Sequence, residues 1–207
     1  VLNPAIERIK IMQLGEQIRW LKATPCDCYD PSTNYSEQAS CERCEHGLVY
    51  SDEGKKRGIV SEMKRDMEHP DLGWIHAGTL TLTVDPANME LGVFDRIVLL
   101  QRTQSARERI NVASNVLPHV YPTQILAVSD RDATYIEGTD FRFNATTRTL
   151  TWITDGPDDV YIVEYSYNPV YWWCGVELTA ARPAIPTGAS TARMPMVGVL
   201  TTSPPGA

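Results

Sequence analysis

Residues 79–84 read Thr-Leu-Thr-Leu-Thr-Val, polar and apolar in strict turn. A strand points successive side chains to opposite faces, so this run predicts a strand with one buried face. Further runs of strand character follow at Val93–Gln101, Arg107–Val112, Gln124–Val128, Ala133–Glu137, Thr149–Thr154 and Val160–Tyr167. Turn-forming residues separate them, at Asp85-Pro86, Ser129-Asp130, Glu137-Gly138, Asn144-Ala145 and Asp155-Gly156-Pro157. About seven or eight short strands with no helical run between them predict a mainly β domain over residues 78–180, an antiparallel sandwich or barrel.

The N-terminal pattern is different. Ile11, Leu14, Ile18 and Leu21 follow one another at helical spacing, Asn3 can cap, and Pro4 suits a first helical turn. This predicts a helix over residues 1–22. Its seam is too narrow for a stable isolated helix, so it packs either on its own domain or on another subunit. Residues 51–77 are polar and charged and read as a connector. The tail, residues 181–207, is rich in proline and carries one apolar patch, Met194, Met196, Val197, Val199 and Leu200. It reads either as a loose terminus or as an extended arm lying on a neighbouring subunit. The seam and the patch are therefore the candidate subunit-interface residues.

Between helix and connector, residues 23–50 carry Cys26-Asp27-Cys28 and Cys41-Glu42-Arg43-Cys44. Two short-spaced thiolate pairs joined by a loop can surround one tetrahedral ion, so this pattern predicts a structural zinc loop. His46 is close enough to replace one cysteine. The alternatives are free thiols, or disulfides formed outside the cell. Four sulfur ligands leave no open position for water activation. A zinc deaminase needs a proline before its paired cysteines and an upstream H-x-E. Here Ser40 precedes Cys41, and no histidine precedes His46.

Charge narrows the classes further. The 207 residues hold 19 basic and 26 acidic side chains, a formal net charge of −7. That balance argues against a general nucleic-acid binder, which needs clustered Lys and Arg. Lys55-Lys56-Arg57 and Lys64-Arg65 follow the cysteines, but residues 1–70 carry ten basic and twelve acidic residues, 10 − 12 = −2. The run reads as a solvated loop, with a nucleic-acid zinc ribbon as the lesser alternative. No G-x-S-x-G, H-E-x-x-H or P-loop occurs, and His46, His69, His76 and His119 have no partner at motif spacing. No catalytic residue is expected. Tyr171-Trp172-Trp173 reads as core or interface packing before it reads as a sugar platform. Clustered cysteines suggest synthesis in a reducing compartment. The opening residues lack a secretory pattern, and no apolar run is long enough for a membrane helix.

The cysteine loop ending in Cys44-Glu45-His46-Gly47-Leu48-Val49-Tyr50 resembles zinc-binding loops in small structural proteins of tailed bacteriophages. The later series Tyr135-Ile136-Glu137-Gly138-Thr139-Asp140-Phe141, Leu150-Thr151-Trp152 and Tyr161-Ile162-Val163-Glu164-Tyr165 is similar to runs in β-rich virion proteins of the neck. The resemblance spans roughly residues 23–175. It implies a ring-forming adaptor between portal and tail, made in the bacterial cytoplasm and located in the virion. Implied partners are further copies of itself, neighbouring portal, neck or tail proteins, and DNA in the channel. A baseplate or tail-tip protein is the alternative within that class, and a zinc-stabilised nucleic-acid module the alternative outside it.

Overall fold

The computed structural model describes residues 4–30, 35–36, 41–45, 47–62, 67–69, 73–75, 80–85, 87, 89–92, 94–173 and 196–201. The chain is mainly β and antiparallel, as its alternation predicts, and divides into two units. Unit 1 comprises Val1–Leu100 with Val170–Ala207, and unit 2 comprises Gln101–Pro169.

In unit 1, helix α1 (Pro4–Leu14) precedes β1 (Glu16–Pro25), a ribbon of β2 (Tyr29–Asp30) and β3 (Tyr35–Ser36), and the long β4 (Leu48–Glu62). A second ribbon, β5 (Met67–His69) with β6 (Gly73–Ile75), leads to β7 (Leu80–Val84) and β8 (Arg96–Leu99). Unit 2 then contributes β9 (Gln104–Asn111), β10 (Pro122–Ser129), β11 (Thr134–Tyr135), β12 (Phe141–Asn144), β13 (Thr149–Trp152) and β14 (Val160–Tyr167). The chain returns to unit 1 with β15 (Val170–Trp173) and β16 (Met196–Thr201). Strands β1, β4, β7, β16, β15 and β8 close a barrel in that order. Because β8 and β15 are antiparallel neighbours, the chain leaves the barrel and re-enters it on adjacent strands.

The helix is shorter than its seam suggests. It ends at Leu14, and residues 16–25 form a barrel strand. Gly15 is the reason. Its N–H closes the last helical turn on the Ile11 carbonyl, and a Cβ there would collide with that oxygen and with the Gly58 backbone. Beyond it, Ile18 and Trp20 obey period two and point into the barrel. Ile18 and Leu21 are buried within their own chain and offer little surface to a neighbour. Ile11 is also buried. Of that seam only Leu14 is exposed, at 73%.

The connector over residues 51–77 is likewise corrected. Residues 48–62 are one strand paired along its length with β1 and β7. Their polarity reflects a wall whose outer face meets water. Between the Arg19–Lys55 and Leu21–Asp52 pairs, Glu53 and Gly54 stand opposite Trp20 alone, and Gly54 takes the positive φ of 81° that such a bulge needs. Lys55, Lys56 and Arg57 lie on β4 and not in a loop, while Lys64 and Arg65 lie outside the described residues. Arg57 donates to the Met12 and Gly15 carbonyls at 3.0 Å each and so caps the end of α1. Lys56 lies 5.9 Å from the Trp20 ring.

Of the tail, residues 196–201 are described and form a strand, while 181–195 and 202–207 lie outside the described residues. Met196, Val197, Val199 and Leu200 lie on β16, whose backbone pairs with β7 and β15 of its own chain. Their backbone thus completes the barrel of their own chain. Met194 lies outside the described residues.

The barrel core gathers Ile18, Trp20, Leu80, Leu82, Val84, Ile97, Leu99, Tyr171 and Trp173. In β7 the expected alternation holds: Leu80, Leu82 and Val84 are buried, Thr81 and Thr83 less so. Unit 2 has a separate core of Ile110, Leu117, Val128, Phe141, Leu150, Tyr161, Val163 and Tyr165. It is built on the sheet β11-β10-β14-β9 and the hairpin β12-β13. The single domain expected over 78–180 is thus two bodies of sequence, one of them shared with the N-terminal half.

Candidate metal centre

The two cysteine pairs sit at the root of the β1–β4 excursion. Cys26 directly follows β1, and Cys44 comes shortly before β4, where Pro25 pairs with Leu48. Each pair lies on a tight turn. The Tyr29 N–H donates to the Cys26 carbonyl at 2.9 Å, and the Cys44 N–H to the Cys41 carbonyl at 3.4 Å. The turns are tied to each other through the chain that follows. Glu45 and Leu48 exchange backbone hydrogen bonds of 2.9 and 3.0 Å, and the Cys26 N–H donates to the Gly47 carbonyl at 2.8 Å. Gly47 has φ +82°, a conformation that favours glycine.

This local geometry brings all four thiols together. The Sγ atoms of Cys26, Cys28, Cys41 and Cys44 lie within 4.8 Å of one another, with Cys28 and Cys44 at 3.3 Å. All four are free of disulfides. With metal–sulfur bonds of about 2.3 Å, the edge of a tetrahedron is about 3.8 Å, so the donor set fits a four-coordinate ion. Hydrogen bonding from the Arg43 N–H and from the neighbouring thiols lowers the Cys41 thiol to about 7. Withdrawal from water, reinforced by the neighbouring thiols, pushes Cys44 up to about 12. Four sulfurs this close cannot all ionise unless a cation offsets their repulsion. The centre is closed: every position of a tetrahedron is filled by sulfur.

The site has a charged flank that the sequence did not reveal. Glu45, next to Cys44, accepts both terminal nitrogens of Arg96, each at 2.8 Å. Arg96 belongs to β8 and is buried among Tyr50 and Trp172, whose ring centroids lie 3.9 and 4.9 Å from its guanidinium carbon. Burial disfavours its charge most strongly, but the hydrogen bonds and charge of Glu45 together with those of Tyr50 outweigh it, so its pKa is raised. Tyr171 and Trp173 are core residues, which accounts for two of the three consecutive aromatics.

The histidines divide differently from the expectation of no partner. His119 Nδ1 lies 2.6 Å from the Tyr165 hydroxyl, and its ring stacks on Tyr167 at 3.8 Å. Burial lowers its pKa. His46, His76 and the side chain of His69 lie outside the described residues. The run around Tyr135 also has a structural role. Trp152 packs edge-on against Tyr135, Phe141 and Tyr161, and Gly156 sits where a Cβ would lie 2.6 Å from the indole. Asp140 accepts from the Ile136 N–H at 2.8 Å within the turn that carries Gly138 at φ +87°.

No family profile matches the chain, and no curated protein matches it in sequence. No helix among the described residues is long and apolar enough to cross a membrane.

Proposed function

We propose that this chain is a structural protein of a tailed-phage virion, forming a ring at the neck between portal and tail, with a structural zinc ion in the cysteine centre. The observation that carries the assembly reading is helix α1. It is fastened to its own barrel by Arg57 at its end and by the Arg8–Asp85 ion pair. Yet Ile6, Ile9, Met12 and Leu14 are 50%, 53%, 70% and 73% exposed. Four large apolar side chains on one short anchored helix make a sticky surface. Burying each on a neighbouring subunit contributes roughly 1.5–3 kcal/mol, and a ring repeats that gain at every interface. Leu14 is the residue of the predicted seam that remains available for this role.

The metal reading rests on the donor set. Four thiolates suit Zn²⁺ and leave it no site for substrate or water, so its work is to hold the β1–β4 root together. Arg57 of the basic run caps the helix, and Arg19 on the neighbouring strand pairs with Asp52, which favours a structural role over a nucleic-acid module. Native mass spectrometry of the full chain tests the assembly. A closed oligomer is expected, dispersed by Leu14→Glu with Ile9→Glu while zinc stays at one per chain. A wild-type chain that remains monomeric at all concentrations, alone and with portal and tail proteins, would overturn the ring.

A further inference from the structure

The metal centre is linked to the barrel wall through one ion pair. Glu45 is fixed at its backbone by both hydrogen bonds to Leu48, so its side chain starts from a set point beside the Cys41–Cys44 turn. That carboxylate meets Arg96 in a two-pronged contact, 2.8 Å at each prong. The Arg96 side chain is only 9% exposed, and its Nε has no hydrogen-bond partner among the described residues. Both of its terminal nitrogens reach the Glu45 carboxylate. Tyr50 on β4 and Trp172 on β15 close over the guanidinium at 3.9 and 4.9 Å. Three barrel strands thus grip one group, and that group grips the residue after a metal ligand.

We propose that Arg96 is a positioning residue for the metal centre, holding the second cysteine turn in register so that the four thiolates converge. The inference rests on the metal reading above and extends it to a residue 52 positions from the nearest ligand, 96 − 44. The physical reason is the shape of the group. A guanidinium offers a planar fork to a carboxylate and a flat face to aromatic rings, and an ammonium offers neither. If Glu45 is lost, a buried cation is left without its anion, and the loop is freed from the wall. Coupling of this kind is reciprocal. Whatever factor the ion pair adds to metal affinity, bound metal adds to the strength of the ion pair.

The test uses the full chain loaded with one equivalent of Zn²⁺. Zinc transfer to a chromophoric chelator is followed for wild type, Glu45→Gln, Arg96→Lys, and the double variant, well below the unfolding temperature of each. Glu45 is 55% exposed, so Glu45→Gln removes the anion while creating no cavity. Release is expected to be about ten- to a hundredfold faster in each single variant, the range for partners behind a metal ligand. The double variant should be no faster than the singles, because both remove one contact. Wild-type release rates in Glu45→Gln and Arg96→Lys would overturn the proposal and leave Arg96 a packing residue that alters melting temperature alone. A wild-type chain that takes up no zinc would overturn the metal reading itself.

Discussion

The Trp20 indole N–H donates to the Asp95 carboxylate at 2.7 Å, inside a wall where Asp95 is completely buried. The same carboxylate accepts from the Ala23 N–H at 2.8 Å and the Gly92 N–H at 2.9 Å. One acid thereby ties β1 to the segment before β8. Burial raises its pKa, against the pull of these three donors. Asp95→Asn puts an amide N–H₂ where an acceptor is needed. It should destabilise unit 1 by about 1–3 kcal/mol, measured by urea unfolding at pH 7.

Asp95 also sets a pH dependence. Its folded pKa lies above the unfolded one, so its contribution is fully present below about pH 4 and declines as pH rises through the raised folded value. Asp130 has the opposite sign. The Tyr135 hydroxyl, then the Asp132 and Ala133 N–H groups, hold its carboxyl below the usual range. Its contribution is present above about pH 4 and disappears as pH falls through the lowered value. Tyr135→Phe should lower the melting temperature of unit 2 at pH 7, and the gap from wild type should close under acid. A gap that is constant from pH 7 to pH 2 would exclude this origin.

Removal of metal should act locally. Chelation, or Cys28→Ser, releases the root of β1 and β4, both barrel strands. Hydrogen exchange should accelerate in residues 16–30 and 41–62, where the released root can open locally. Amides of Ile110, Val163 and Tyr165 should keep their protection, because unit 2 has its own core. Equal acceleration in both units would contradict the separation of their cores.

Truncation before Met196 distinguishes a barrel strand from an external arm. Deleting residues 196–207 leaves β7 and β15 without the strand that pairs with both. The isolated chain should lose near-ultraviolet signal from its buried tryptophans and become sensitive to protease. A fully folded truncated chain that fails only in assembly would restore the arm reading.

Much of unit 2 and the convergence of the four cysteines was legible in the sequence, because the governing forces are local. Val160–Tyr167 is a strand in the structure over the same bounds that its alternation predicts. Leu80, Leu82 and Val84 are buried as period two requires. Cysteines two and three residues apart converge because a single tight turn brings each pair together, and a second contact between turns joins the pairs. Tertiary structure decided the rest. Ile11, Leu14, Ile18 and Leu21 satisfy a helical period, but the tight fit of Gly15 against Ile11 and Gly58 ends the helix, and barrel pairing claims the remainder. The polar texture of Leu48–Glu62 and the proline-rich context of Met196–Thr201 conceal strands held by partners far away in sequence. No periodicity within a window reports a backbone partner outside it. For the same reason, nothing in the sequence around Arg96 announces Glu45: their contact exists only because the barrel closes and carries β8 to the root of the cysteine loop.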